Sequence, residues 1–347
     1  MRAAYFPYRL HFIEPGGTSR GVLYDKDTYF LKVWDERNPE VFGLGECALF
    51  KGLSKEDDDR YEAKLAELCA NVGRGEGTDL SGHSSILFGF ESAINDYVNG
   101  GRRVYFPGAF AEGKSSVVIN GLVWMGSKEE MLRRIDAKVA SGFHTIKLKI
   151  GAIDFDSEIE MIKYVRERYS RNELEIRVDA NGGFNADNVM QRLERLSKYN
   201  LHSIEQPIQQ GQWEELAKIC KNSPLHIALD EELIGITDPL EMFNLLNIIR
   251  PHYIVLKPSL MGGFSGSTEW LKMASQFNIG AWITSALESN VGLCALAQWV
   301  ANLEPRIAQG LGTGQLYDNN IACPLVQKGE CLSYDKTQPW HLPEFLL

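Results

Sequence analysis

Five polar residues recur along this chain at nearly one interval: Lys149, Asp179, Glu205, Asp230 and Lys257, each at or just before the end of a short apolar run. The gaps are 30, 26, 25 and 27 residues. That interval is the length of one strand, one helix and their loops, and a fixed period of about 20 to 50 residues marks a repeating architecture. From about residue 115 the chain alternates accordingly, with strands expected at 117–122, 144–149, 175–179, 202–205, 226–230, 253–257, 280–284 and 307–311. Helical patterns fall between most of them, such as KEEMLRRIDAKVASG, NADNVMQRLERLSKYN and SGSTEWLKMASQFN, apolar at three- and four-residue spacing. Eight strands alternating with helices imply an α/β fold of the (β/α)8, TIM-like barrel kind. A doubly wound open sheet competes with it, but the glycine-rich first turn of that fold is missing, and GLGTG at 310–314 has no helical pattern behind it.

The first hundred residues read differently. Residues 3–13, 21–34 and 39–46 have strand-like composition punctuated by turn residues, suggesting an antiparallel meander. Ser54 stands as a helix N-cap before the Ala/Leu-rich stretch to Ala70, and SSILFGFESAINDYVNG reads as a helix closed by Gly100. Strands followed by helices make an α+β domain. The expected organisation is therefore 1–104 as the α+β domain, 105–325 as the barrel with the active site, and 326–347 as a segment returning to the first domain. The 347 residues suit a barrel of about 250 plus a module of about 100.

Charge and cysteine usage narrow the partners. Thirty-six basic against 46 acidic side chains give a net −10, which disfavours nucleic acid and anionic lipid. A small carboxylate substrate would then need a local positive site. The N-terminus, broken by Pro7 and Pro15, shows no signal peptide, and no stretch is long and apolar enough for a membrane span. Six cysteines lie scattered without a CxxC, as in a reduced, cytoplasmic enzyme. Surface composition leaves a homo-oligomer open.

The chemistry begins in TIKLKIG at 145–151. Side chains alternate along a strand, so Lys147 and Lys149 share one face and Ile146, Leu148 and Ile150 the other. With the apolar set against the helices, both lysines point into the barrel, where carboxylates are their natural compensation. Lysines also blunt sheet edges, but a barrel has no edge. Two adjacent ammonium groups lower the pKa of at least one, as a lysine base requires, and Lys149 lies nearer the rim. LEIRVDA, HSIEQP and LHIALDEE place Asp179, Glu205 and Asp230 at the carboxyl ends of strands three, four and five. Any one acid could simply cap the next helix. Three at one register form an all-oxygen site suited to Mg2+, with Mn2+ as a substitute. Four histidines, His144, His202, His226 and His252, sit at strand beginnings. At roughly 3.3 Å per residue, His226 lies about 13 Å from Asp230 and the rim, which makes these histidines structural. Lys257 ends strand six, opposite strand two across the axis. A metal-held substrate carboxylate flanked by two amines suits removal of an α-proton through an enediolate. A Schiff-base aldolase using Lys257 leaves the three acids unexplained, and a non-catalytic scaffold leaves all five unexplained.

These residues resemble the enolase superfamily in its muconate-lactonising subgroup: the Lys-x-Lys of strand two, DANGGF with Asp179, IEQP with Glu205, ALDEE with Asp230 and VLKP with Lys257. FGLGECALFKGLS is similar to the family's capping-domain segment GxGE and the loop that covers the site, and SILFGFESAINDYV to the helix before the barrel. The resemblance implies that residues 1–104 are a capping domain, that Asp179, Glu205 and Asp230 hold Mg2+, and that Lys149 and Lys257 are catalytic beside Lys147. Dipeptide epimerases of the subgroup carry an Asp-x-Asp on strand eight, where this chain has Gly312 and Gly314. VINGLVWMG and SALESNVG are instead similar to the branch that dehydrates 2-succinyl-6-hydroxy-2,4-cyclohexadiene-1-carboxylate to o-succinylbenzoate for menaquinone biosynthesis, a hydro-lyase reaction. On that resemblance Lys149 removes the α-proton and returns it to the departing hydroxyl, and Lys257 stays cationic against the enediolate. Asn181 orients a ligand, and Ser285 and the backbone at Gly312 receive the succinyl carboxylate beneath a loop around Gly16 to Arg20. Racemisation of an N-acylamino acid, or another epimerase or cycloisomerase reaction of the subgroup, is the alternative.

Overall fold

The computed structural model describes residues 1–18, 21–124, 126–151 and 154–347. Its first three strands, β1 (Arg2–Thr18), β2 (Gly21–Asp35) and β3 (Asn38–Cys47), form the antiparallel meander in the order β1-β2-β3. Helices α1 (Tyr61–Arg74) and α2 (Ser84–Val98) cover one face, where Leu31, Val33, Leu65, Leu68 and Ile86 make a small core. Gly43 and Gly45 set the depth of that packing: a Cβ on either would lie 1.9 Å from a carbonyl oxygen of α2, so only glycine lets strand and helix meet.

Ser54 does not cap a helix. Its hydroxyl accepts the Phe50 N–H at 2.9 Å within a turn, and α1 begins only at Tyr61, behind Arg60. The intervening Asp57 and Asp58 accept the N–H groups of Gly52 and Arg60, so aspartates compete with helix formation there.

The second unit opens with β4 (Ser116–Val118) and continues through β5 (Gly121–Val123), β6 (Thr145–Lys149), β7 (Glu175–Asp179), β8 (Ser203–Glu205), β9 (Ile227–Leu229), β10 (Tyr253–Leu256) and β11 (Gly280–Ile283). From β5 to β11 the strands pair in sequence order, all parallel. Seven helices follow them in turn: α3 (Lys128–Ala140), α4 (Phe155–Arg168), α5 (Val189–Ser197), α6 (Trp213–Asn222), α7 (Pro239–Ile249), α8 (Gly263–Gln276) and α9 (Asn290–Asn302). Outward strand residues such as Ile146, Val178, Ile204, Leu229 and Leu256 join the helices in one continuous core.

Two expected strands differ. The first is split: β4 pairs antiparallel with a late strand at Cys331–Tyr334, while β5 pairs with β6. The eighth, expected at 307–311, is reduced to bridges from Gln309 to Ile119 and from Gly310 to Thr284, which close the ring through Asn120 N–H to Gln309 O (2.9 Å) and Gly310 N–H to Ile283 O (2.8 Å). Its pairing is taken over in part by a side chain, since Gln309 Oε1 accepts the Ile283 N–H at 2.8 Å. The chain ends with the hairpin β12 (Leu325–Lys328) and β13 (Cys331–Tyr334), after which Leu346 packs with Phe30 and Leu44 of the first sheet. All six cysteines are free thiols, and no described helix is long and apolar enough to cross a membrane.

Candidate active site

Strand β6 turns Lys147 and Lys149 inward and buries Ile146, Leu148 and Ile150 among the helices, as the alternation requires. Register then aligns the charges: Lys149 pairs with Asp179, and Asp179 with Glu205, on adjacent strands. Asp230 and Lys257 directly follow β9 and β10. The structure thus brings all five residues to the carboxyl rim of the barrel. Lys147 Nζ donates to Glu205 Oε1 at 2.6 Å and lies 2.8 Å from Asp179 Oδ2. Lys149 Nζ donates to Asp179 Oδ2 (2.6 Å) and to Asn181 Oδ1 (2.8 Å), and Lys257 pairs with Asp230. Asn181, held at φ 44°, passes the chain on by donating Nδ2–H to Glu231 Oε1 at 2.9 Å.

The charges at the rim act strongly on one another. Burial would depress the Lys147 ammonium, but Asp179, Glu205 and Asp230 outweigh it and hold its pKa above the ordinary lysine value. Lys257 is buried too, and Asp230 and Glu231 raise it likewise. The mutual repulsion of the lysine pair does not prevail at Lys147, because its acidic partners stand closer in effect. Among the acids, burial and the Asp179 charge push Glu205 well above the usual range, whereas Lys147 and Lys149 overcome burial at Asp179 and hold it below.

The acids fit a hard divalent cation by their donors. Their ligand atoms are oxygen only, and Glu205 Oε2 and Asp230 Oδ1 are buried without a hydrogen-bond partner. As they stand, no three acidic, histidine or cysteine side chains among the described residues converge as an ion cage, because ammonium groups lie between the carboxylates. Glu231, adjacent to Asp230 and 4% exposed, is a further acid at this rim. Its place in ALDEE was the available signal.

A cleft opens on Lys149 and Lys257, with Lys147 and Asn181 beside them and Phe50, Trp124 and Leu287 as apolar walls. Phe50 comes from the segment ALFKGLS of the first domain. Ser285 lines the cleft, but its hydroxyl donates to Glu288 Oε2 at 2.6 Å and is already committed. Gly312 lines it as well, and a Cβ there would meet only ordinary contacts at 3.5 Å. Of the loop around Gly16 to Arg20, Gly16 lies over the Trp124 ring, where a Cβ would stand 3.6 Å away; Ser19 and Arg20 fall outside the described residues. The four strand-start histidines sit away from this cleft: His202 stacks on Tyr253 (4.9 Å), His226 on His252 (4.7 Å), and His144 bonds Glu330 at 2.9 Å.

Residues 130–329 match the family described as enolase C-terminal domain-like. An o-succinylbenzoate synthase from Desulfotalea psychrophila is 43% identical over 96% of this chain and 98% of its own length. The crystal structure of MenC from the same organism superposes with a TM-score of 0.84 at 40% identity, covering 96% of this chain and 99% of that one. A dipeptide epimerase from Enterococcus faecalis, complexed with Mg and a dipeptide, has a TM-score of 0.81 over 96% of each chain at 16% identity, a likeness of fold. With the strand-end constellation in place and these likenesses spanning nearly its whole length, the chain belongs to the enolase superfamily, in the enolase C-terminal domain-like family.

Proposed function

We propose that the chain is an o-succinylbenzoate synthase, a hydro-lyase that removes water from 2-succinyl-6-hydroxy-2,4-cyclohexadiene-1-carboxylate in menaquinone biosynthesis. The observation that carries the reading is the pair Lys149 and Lys257, both lining one cleft and each ion-paired to a rim carboxylate, in a chain 43% identical to a relative of that name. Asp179, Glu205 and Asp230 would hold Mg2+, whose charge stabilises the carboxylate-derived negative charge that develops when the α-proton leaves. Lys149, as the free amine, takes that proton from the ring carbon beside the carboxylate. The resulting enediolate lies against the Lys257 ammonium, which stays protonated through the reaction. Lys149, now an ammonium, gives its proton to the departing hydroxyl on the same face, so water leaves and the ring becomes aromatic. Asn181 keeps Lys149 aimed, because its carbonyl accepts the Nζ–H while its amide is tied to Glu231. The amides of Gly312 and Thr313, with no partner among the described residues, suit the succinyl carboxylate.

Racemisation of an N-acylamino acid is the second reading, favoured by the same fact that Lys149 and Lys257 both line the cleft. Purified chain with Mg2+ is to be offered the cyclohexadiene carboxylate and an N-succinylamino acid in parallel. Dehydration that chelation by EDTA abolishes and added Mg2+ restores is expected. Turnover of the amino acid alone would replace the first reading with the second.

A further inference from the structure

Glu288 is a fully buried carboxylate three residues beyond the cleft residue Ser285 and outside the rim constellation. Three donors converge on it: Ser259 Oγ at 2.6 Å on one oxygen, and Ser285 Oγ at 2.6 Å and the Ala286 N–H at 2.8 Å on the other. Ser285 in turn accepts the Thr313 hydroxyl at 2.8 Å and the Leu287 N–H at 3.0 Å. One hydrogen-bond chain therefore crosses three consecutive strand-end segments: Ser259 after β10, Ser285 after β11, and Thr313 in the GLGTG stretch that closes the ring. Ser259 is two residues from Lys257, and Ser285 and Leu287 are cleft wall. Leu287 is itself held at φ 65°, with its carbonyl accepting the Tyr317 hydroxyl at 2.8 Å, so the wall adopts a conformation that leucine avoids when unconstrained.

The capping domain reaches the same point. Lys26 on β2 is buried and its Nζ has no hydrogen-bond partner; burial lowers its pKa against the charges of Glu46 and Glu288. Glu46, of the GxGE segment, accepts Thr28 Oγ1, the Ser289 N–H and Oγ–H and the Gly292 N–H, and so clamps the start of α9 immediately after Glu288. Two fully buried carboxylates, Glu46 of the cap and Glu288 of the barrel, are thus held by donors within residues 285–289, where the two domains meet.

We propose that Glu288 is a positioning residue of the reaction: through Ser259 it fixes the loop bearing Lys257 and through Ser285 the wall opposite, while Glu46 of the cap holds the next residue, Ser289. The inference rests on the reading that this cleft and Lys257 perform the chemistry. It makes the capping domain part of the catalytic geometry through a group that never touches substrate. Misplacing a reacting group by about 1 Å costs on the order of 10²-fold in rate, which sets the scale of the expected effect.

The test is steady-state kinetics of the full-length chain with Mg2+ on the cyclohexadiene carboxylate, with thermal unfolding run alongside. Glu288→Ala should lower kcat about 10²-fold. Glu288→Gln keeps a carbonyl for Ser285 and Ala286 and an amide to which the Ser259 hydroxyl can turn as acceptor, so it should stay within about 3-fold of wild type. A folded Glu288→Ala with wild-type kcat overturns the proposal. Should Glu288→Ala not fold, Ser259→Ala cuts one arm alone: a kcat about 5-fold lower at unchanged KM supports the brace, and an unchanged kcat overturns it. If wild-type chain turns over no substrate, the functional reading falls. The brace is then judged by hydrogen exchange at 259–261 and 285–287, faster in the variant if it exists and unchanged if it does not.

Discussion

The two ends of this barrel are built from the same strand faces and do opposite things. Two residues below Asp179 on β7 stands Arg177, 2% exposed, its Nη1 donating to Ala308 O at 2.9 Å and its Nε to Glu175 Oε1 at 2.8 Å. Its guanidinium lies 4.6 Å over the ring of Trp282, which packs with Ala228 and Val255, the residues two below Asp230 and Lys257. At this lower level an inward charge is matched by a carbonyl, an acid and an aromatic face. At the upper level carboxylate oxygens are left over and a cleft adjoins them. A shift of two residues along each strand separates a plug from a site. Charge inside a barrel is therefore uninformative alone, and so is a missing hydrogen bond, since Arg177 Nη2 lacks one too; what distinguishes the rim is unpartnered carboxylate oxygens beside an open cleft.

That contrast can be broken at either end. Lys149→Ala at the rim should remove the proposed base and cost about 10⁴-fold in kcat, near 5 kcal/mol of barrier, while leaving stability almost unchanged, because Asp179 keeps Lys147 at 2.8 Å. Kinetics and urea denaturation of the same preparation measure both; a variant that loses stability but retains turnover would show the rim to be structural. Trp282→Ala at the plug should do the reverse. Emptying a site 1% exposed and removing the ring beneath Arg177 should cost about 3–5 kcal/mol of stability, with kcat per folded molecule within about 3-fold of wild type. A large fall in kcat without a loss of stability would erase the distinction between the two levels.

Much of this was legible in the sequence because both levels are written in strand period and repeat length. The Lys-x-Lys alternation put Lys147 and Lys149 inside, and the repeat put Asp179, Glu205, Asp230 and Lys257 at one rim. Arg177 carried the same phase two residues before Asp179 and could have been read as inward. What escaped depends on partners remote in sequence. The direction of the Lys147 shift is set by acids 32 and 58 residues away, and the role of Glu288 by Ser259, which meets it only in the fold. Ser54 was misplaced because nearby aspartates took the backbone donors that a longer helix would have used. The eighth strand was overestimated because Gln309 supplies by side chain what a ladder supplies by backbone.

The smallest expected effect tests whether the lower end is a closed plug in solution as well. His202 stacks on Tyr253 and faces Glu175, Arg177 and His226; burial is the main cause that lowers its pKa to about 4, with Arg177 and His226 adding to it against Glu175. Unfolded, the imidazole titrates near 6.5. Between those values the unfolded chain binds more protons than the folded one, so stability rises with pH across the window and is lost as pH falls from about 6.5 toward 4. The share from this one residue is about 2–3 kcal/mol by pH 4.5. Carboxylates titrate in the same range, so the readout is a difference: the fall in unfolding free energy from pH 7.5 to 4.5, measured by urea denaturation, should be smaller in His202→Asn than in wild type by that amount. Equal falls would mean that water reaches the imidazole, and that the lower end of the barrel is open where its packing says it is shut.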